Sequence, residues 1–143
     1  MTPTRKPEPG DRKEDPKSNA KRHDFRLRTK GVALRAIRLV ESLPKRQAGF
    51  AIGDQLLRSA MSVGANHRAA KRARSEAEFV AKMGIVEEEL DECLYWMELL
   101  VESGMVPEER LRPLMQEVNE LLAITVASIR TTKAKGQKRP RGR

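Results

Sequence analysis

Two groups of side chains in this sequence have the types and spacing to do something specific, and both are cationic. Arg58, Arg68 and Arg72 fall within about 80° of one another when residues are placed at 100° steps around a helix, and Lys71 and Arg74 extend the group. Lys133, Lys135, Lys138, Arg139, Arg141 and Arg143 crowd the C-terminus with no acid among them. Cations so arranged neutralise phosphates and release condensed counterions, an attraction that ignores base sequence. Each group has a second use. Helical arginines also pair with carboxylates on a neighbouring helix or subunit, and a basic tail also serves solubility alone.

Catalytic chemistry has little to work with. A single cysteine, Cys93, excludes an internal disulfide and zinc-finger spacings. It sits on an apolar stripe with no histidine close by on the same helix, as a small buried residue does. His23 and His67 are too few for a His-based metal cluster. The run Glu87-Glu-Glu-Leu-Asp-Glu92 invites a di-metal assignment, but bundle sites of that kind use inward Glu-x-x-His pairs, and neither histidine follows a Glu at that spacing. No phosphate-cradling glycine loop, nucleophile elbow or acid–base pair is present. A non-enzyme with no catalytic residue, metal or cofactor is therefore expected.

The elements that must position these cations are helical, and strand signals are absent. A first helix is predicted over about 28–43, where Val32, Ala36, Leu39 and Leu43 recur at three and four before Pro44. A second spans about 48–73. Ser75 and Glu78 form a capping box that opens a third, which stops at Gly104. A fourth runs from Pro107 to about Thr131, where Pro113 either kinks it or sets Pro107–Leu111 apart as a short turn. Four helices with short connections predict an all-α, antiparallel up-down bundle over 25–132, between a disordered arm, 1–24, and a disordered basic tail, 133–143.

On the third helix, Phe79, Met83, Val86, Leu90, Cys93, Leu94, Met97, Leu100 and Val101 share one arc and make the core face. Glu87, Asp91, Glu98 and Glu102 line one flank, where like charges four apart cost a few tenths of a kcal/mol unless a cation lies nearby. Tyr95 and Leu99 point away from the core and Trp96 to one side. They are either scattered surface residues or an oligomer interface, and helices this long favour a homo-oligomer. The second helix is dense in small residues, Gly53, Ser59, Ala60, Ser62 and Gly64 among them, which let a neighbour approach closely.

The chain of 143 residues carries 29 Lys and Arg against 20 Asp and Glu, a net charge of +9. Residues 31–129 hold twelve cations against fifteen acids, so the basicity belongs to the ends and pairing with the acidic stripe is the favoured use of the helical arginines. No apolar run reaches the ~18 residues of a membrane span, and the hydrophilic N-terminus has no secretory h-region. A cytoplasmic protein off the membrane is expected.

Arg58-Ser-Ala-Met-Ser-Val-Gly-Ala-Asn66, followed by Arg74-Ser-Glu-Ala-Glu-Phe79, resembles the 23S rRNA-intervening sequence protein family of small bacterial four-helix bundles. That family typically shows Arg-x-Ala-x-Ser-Ile, then Asn-Ile-Ala-Glu-Gly, then Arg-x-Ser-x-x-Glu-Phe. Arg58, Ala60, Ser62 and Asn66 match the first part; Arg74, Ser75, Glu78 and Phe79 match the last. Leu94-Tyr-Trp-Met-Glu-Leu-Leu100 resembles the end of the family's third helix. The middle segment departs: Asn66-His-Arg-Ala-Ala70 lacks its Glu and Gly, and His67 stands at an apolar position. The resemblance covers about residues 25–132. It implies a left-handed bundle assembled into a ring, commonly a homopentamer. It also extends to the accessory variability determinant of diversity-generating retroelements, a basic ring that binds nucleic acid and a reverse transcriptase. The expected function is thus a non-enzymatic oligomeric bundle that binds RNA or DNA electrostatically, accessory to a reverse transcriptase or an rRNA-related process. The alternative is an assembly scaffold with no nucleic-acid role.

Overall fold

The computed structural model describes residues 16–138, with side chains described for residues 24–137. Four helices fill it: α1 (Pro16–Glu41), α2 (Gln47–Lys71), α3 (Glu76–Glu102) and α4 (Glu108–Lys138). Each packs on its neighbour in the chain and α1 closes against α4, so the all-α four-helix bundle is the fold, and no strand occurs among the described residues. The α2–α3 contact is the most extensive and the α1–α4 contact the least.

Local chemistry explains where the helices stop. Ser75 caps α3, its hydroxyl accepting from the Glu78 N–H at 3.0 Å. The Glu78 carboxylate returns to the N–H of Arg74 at 3.1 Å rather than to that of Ser75, so the expected capping box closes one residue early. Gly104 follows α3 with φ 79°, a left-handed conformation that glycine adopts without penalty. Its N–H bonds the Val101 carbonyl, and the Val106 N–H bonds that of Leu100. Pro113 neither breaks α4 nor sets off a separate turn. It lies in the second turn of one continuous helix, on an exposed side where the carbonyl it leaves unpaired can meet water.

The helices outrun the expected domain limits. Pro16–Asp24, assigned to the arm, belongs to α1, and Lys133–Lys138, assigned to the tail, belongs to α4. Pro16 suits a first helical position and no proline follows it before Pro44; likewise α4 meets none between Pro113 and Pro140. Both ends continue helices anchored by the core, although Ser18, Asn19 and Gly136 are weak helix formers and neither end has an apolar period. The rest of the arm, residues 1–15, and Arg139, Arg141 and Arg143 lie outside the described residues.

The core is continuous. Leu56, Val63, Leu90, Met97, Leu100, Val118 and Leu121 are fully buried, each such side chain contributing about 1.5–3 kcal/mol. Buried Thr29 and Thr125 satisfy their hydroxyls on the carbonyls of Arg26 and Leu121. The small residues of α2 do set close approaches. A Cβ added at Gly53 would crowd Val40 Cγ1 at 3.0 Å, while one at Gly64 would make ordinary contact with Thr29 Oγ1 at 3.7 Å. These two contacts fix an antiparallel register between α1 and α2. Across the other side of α2, Ser59 donates to Glu92 at 3.1 Å on α3.

Candidate nucleic-acid interface

The C-terminal turns of α2 and the opening of α3 enclose an open cleft of about 540 Å³, lined by Ala65, Arg68, Ala69, Arg72, Arg74, Glu78 and Lys82. Alanines leave room between the cations, and the one lining acid, Glu78, is engaged with the Arg74 N–H. Arg68, Arg72 and Arg74 are exposed and Lys82 half-buried, and none of the four makes an ion pair among the described residues. Four cations without a carboxylate partner hold a positive potential open to solvent, and the N-terminus of α3 adds its own partial positive charge.

The other cationic group begins at the same end of the bundle. A Cβ added at Gly136 would lie 3.4 Å from Glu76 Oε2, so the last turns of α4 run beside the start of α3. Lys133 and Lys135 are exposed there. Lys138 ends the helix, its side chain outside the described residues, as are Arg139, Arg141 and Arg143. Two groups far apart in the sequence thus meet at one end of the fold.

Two of the helical cations do not line the cleft. Arg58 sits ten residues before Arg68, about 15 Å back along α2. Lys71 lies on the flank of α2 that carries His67, whose proton affinity it lowers. Lys82 was missed. It is the only cation on α3, seven residues past the Ser75 cap, and that isolation was the available signal.

The favoured pairing of Arg58, Arg68 and Arg72 with the acidic stripe is not made within the chain. Glu92, which bonds Ser59, marks the flank of α3 that faces α2. At 100° per residue, Glu87, Asp91, Glu98 and Glu102 fall roughly 80–140° around the helix from it, toward α4. No ion pair joins the arginines to that flank among the described residues. Tyr95 is 53 % exposed and Leu99 half-buried on the outer side of α3. Trp96, half-buried against the core, stacks edge-on with Tyr95 and leaves its buried Nε1 without a hydrogen-bond partner.

The residues with catalytic potential are engaged elsewhere. Cys93 is fully buried; burial first, then the carboxylates of Glu89 and Glu92, pushes its thiol up to about 12, far from a reactive thiolate. Burial, then the nearby Glu92, raises Glu89 as well. Among the described residues no three His, Cys, Asp or Glu side chains are grouped to hold a metal ion, and no helix is long and apolar enough to cross a membrane. The sequence motifs acquire structural roles: Ala60 packs in the core, Asn66 donates to the Ser62 hydroxyl at 2.8 Å, and Ser75 and Glu78 cap α3.

Comparison with known proteins agrees with this architecture. The model of the 23S rRNA-intervening sequence protein family matches residues 23–127. A solved structure of a protein of unknown function from the S23 ribosomal protein family of Bacteroides thetaiotaomicron is 30% identical. It superposes with a TM-score of 0.72, covering 77% of this chain and 98% of that one. No curated protein matches.

Proposed function

This chain belongs to the 23S rRNA-intervening sequence protein family, and we propose that it is a non-enzymatic, self-associating bundle that binds RNA or DNA through phosphate contacts. The observation that carries this is the convergence at one end of the bundle of the cleft cations, Arg68, Arg72, Arg74 and Lys82, with Lys133 and Lys135 of α4. Guanidinium groups present a planar fork that suits phosphate oxygens. Alanines between them let a backbone approach without steric conflict. Stacking on bases has no comparable equipment at this cleft, since Phe25 is buried, Phe79 is half-buried on the core side, and the exposed Phe50 and Tyr95 are not among its lining residues. Recognition then rests on phosphate spacing, and duplex or structured RNA is the first ligand to test.

The test is a titration of labelled duplex RNA with the full chain, with Arg68→Glu/Arg72→Glu, and with a truncation ending at Thr132, each at two salt concentrations. Each change is expected to weaken binding at least tenfold and flatten the salt dependence, by about 0.9 in log–log slope for each lost contact to a duplex phosphate. Unchanged affinity in both variants, or no binding by the full chain at low salt, would favour the scaffold with no nucleic-acid role.

A further inference from the structure

Charge in this bundle is divided by hairpin. Residues 24–74, the described side chains of α1, α2 and the turn that leaves α2, hold twelve Lys and Arg against three Asp and Glu, a net +9. Residues 75–137, which hold α3 and α4, carry six against thirteen, a net −7. One half of the molecule is strongly basic and the other strongly acidic. Because the bundle is up-down, this sequence division is also a division between two sides.

Each side also exposes apolar residues where no helix covers them. On the basic side, Leu27 is 53 % exposed, Leu34 45 %, Phe50 59 % and Met61 49 %, with Ile37 and Leu57 partly exposed. The Val40–Gly53 and Thr29–Gly64 contacts place residues 34–37 of α1 beside residues 56–61 of α2. At 100° per residue these side chains lie on the outer surface of both helices. They therefore form one strip along the hairpin, about 24 Å from the level of Phe50 to that of Leu27. Lys30, Arg38 and Arg58 border it, all exposed, as do Glu41 and Asp54. On the acidic side, Tyr95 and Leu99 of α3 stand among Glu88, Asp91, Glu98 and Glu102.

We infer that the outer strip of the α1–α2 hairpin receives the outer face of α3 of a second copy of this chain, head to tail. The inference rests on the self-association proposed above and names the surfaces that make it. Apolar strip meets apolar strip, and a +9 half meets a −7 half. An isologous contact through the hairpin would instead set two basic halves against each other, and one through α3 two acidic stripes. A head-to-tail contact leaves each end copy with an unused face, so it propagates until a ring closes. The acidic stripe of α3, which makes no ion pair with an arginine among the described residues, then finds cations on its neighbour.

The test uses two double variants at exposed or half-buried positions, Leu34→Asp/Met61→Asp and Tyr95→Asp/Leu99→Asp, sized by light scattering after gel filtration. Helical circular dichroism confirms that each is folded; serine replaces aspartate if one is not. The expected result is a wild type of several chains, each variant alone at 16.2 kDa, and a mixture of the two that forms a complex of one copy of each and nothing larger. Raised salt should weaken the wild-type assembly. A wild type that is monomeric at tens of micromolar overturns self-association itself. An assembled wild type overturns only the choice of faces if either variant stays assembled as wild type does, or if the two monomeric variants fail to combine.

Discussion

Arg28 on α1 donates twice to Glu117 on α4, from Nε at 3.0 Å and from Nη2, and Nη2 also lies 3.0 Å from Glu120. This tie crosses the seam where the bundle has its slightest helix contact. Both partners are about three-quarters buried, so the charges are shielded from salt and the guanidinium holds its proton more tightly than usual. Arg28→Ala should cost about 1–2 kcal/mol in urea unfolding, since it strands a half-buried carboxylate. A double-mutant cycle with Glu117→Ala should give a coupling of about 1 kcal/mol. The exposed Arg112–Glu108 pair, 3.6 Å apart, should give less than about 0.5 kcal/mol in the same assay. Equal couplings would mean the α1–α4 tie is no more than a surface pair.

His67 gives stability a pH dependence. Its ring is buried against Phe25, centroids 4.6 Å apart, with Nδ1 unbonded. Burial first, then Lys71 and Arg26, lowers its pKa from 6.5 to about 4. The unfolded chain therefore takes up this proton near pH 6.5 and the folded chain only near 4. Between those values the unfolded state binds more protons, so the contribution is complete above pH 6.5 and is lost as pH falls toward 4. The loss should be about 2–3 kcal/mol. Unfolding of wild type and His67→Leu at pH 7, 5.5 and 4 isolates it: the difference between the two should shift by that amount. A constant difference would mean that folding leaves the histidine's proton affinity unchanged.

Two glycines should respond oppositely to alanine. At Gly49 an added Cβ would run into the backbone carbonyl of Pro44, which cannot swing aside as a side chain does. At Gly84, in the middle of α3, it would meet nothing within 4 Å. Gly84→Ala should stabilise by about 0.5–1 kcal/mol through helix propensity alone. Gly49→Ala should destabilise by more than about 2 kcal/mol, or shift the α1–α2 turn. Thermal unfolding of the two variants decides it, and a neutral Gly49→Ala would show that the turn yields freely.

Much of this fold was legible in local signals. The Ser75 cap, the Gly104 stop and the Met83–Leu100 stripe depend only on neighbours in sequence, and all appear as expected. The arginine pairing is not made among the described residues: a helical wheel says which residues share a face and not which helix that face meets. It took the Ser59–Glu92 bond to orient α3. The helix ends were underestimated because Lys133–Lys138 has no apolar period, and a long helix anchored by its core can continue without one. The charge division was countable all along. Averaging over residues 31–129 gave −3 and hid it; dividing the chain at Ser75 exposes two halves of opposite sign.

Linked copies of a weak phosphate site behave differently from one strong site. A ring would present one cleft and one basic tail per chain, and a nucleic acid long enough to touch several would bind them with a raised effective concentration. Affinity for duplex RNA should therefore rise steeply with length up to the span of the assembly and level off beyond it. Leu34→Asp/Met61→Asp changes no cation of the cleft, so its monomer should keep the intrinsic site and lose the length dependence, binding long duplexes roughly 100-fold more weakly than wild type. Short duplexes should bind both proteins alike. Titrations of one short and one long duplex against both proteins, at fixed salt, measure this directly. If the monomeric variant and the wild type show the same length dependence, each chain binds alone and the assembly contributes nothing to recognition.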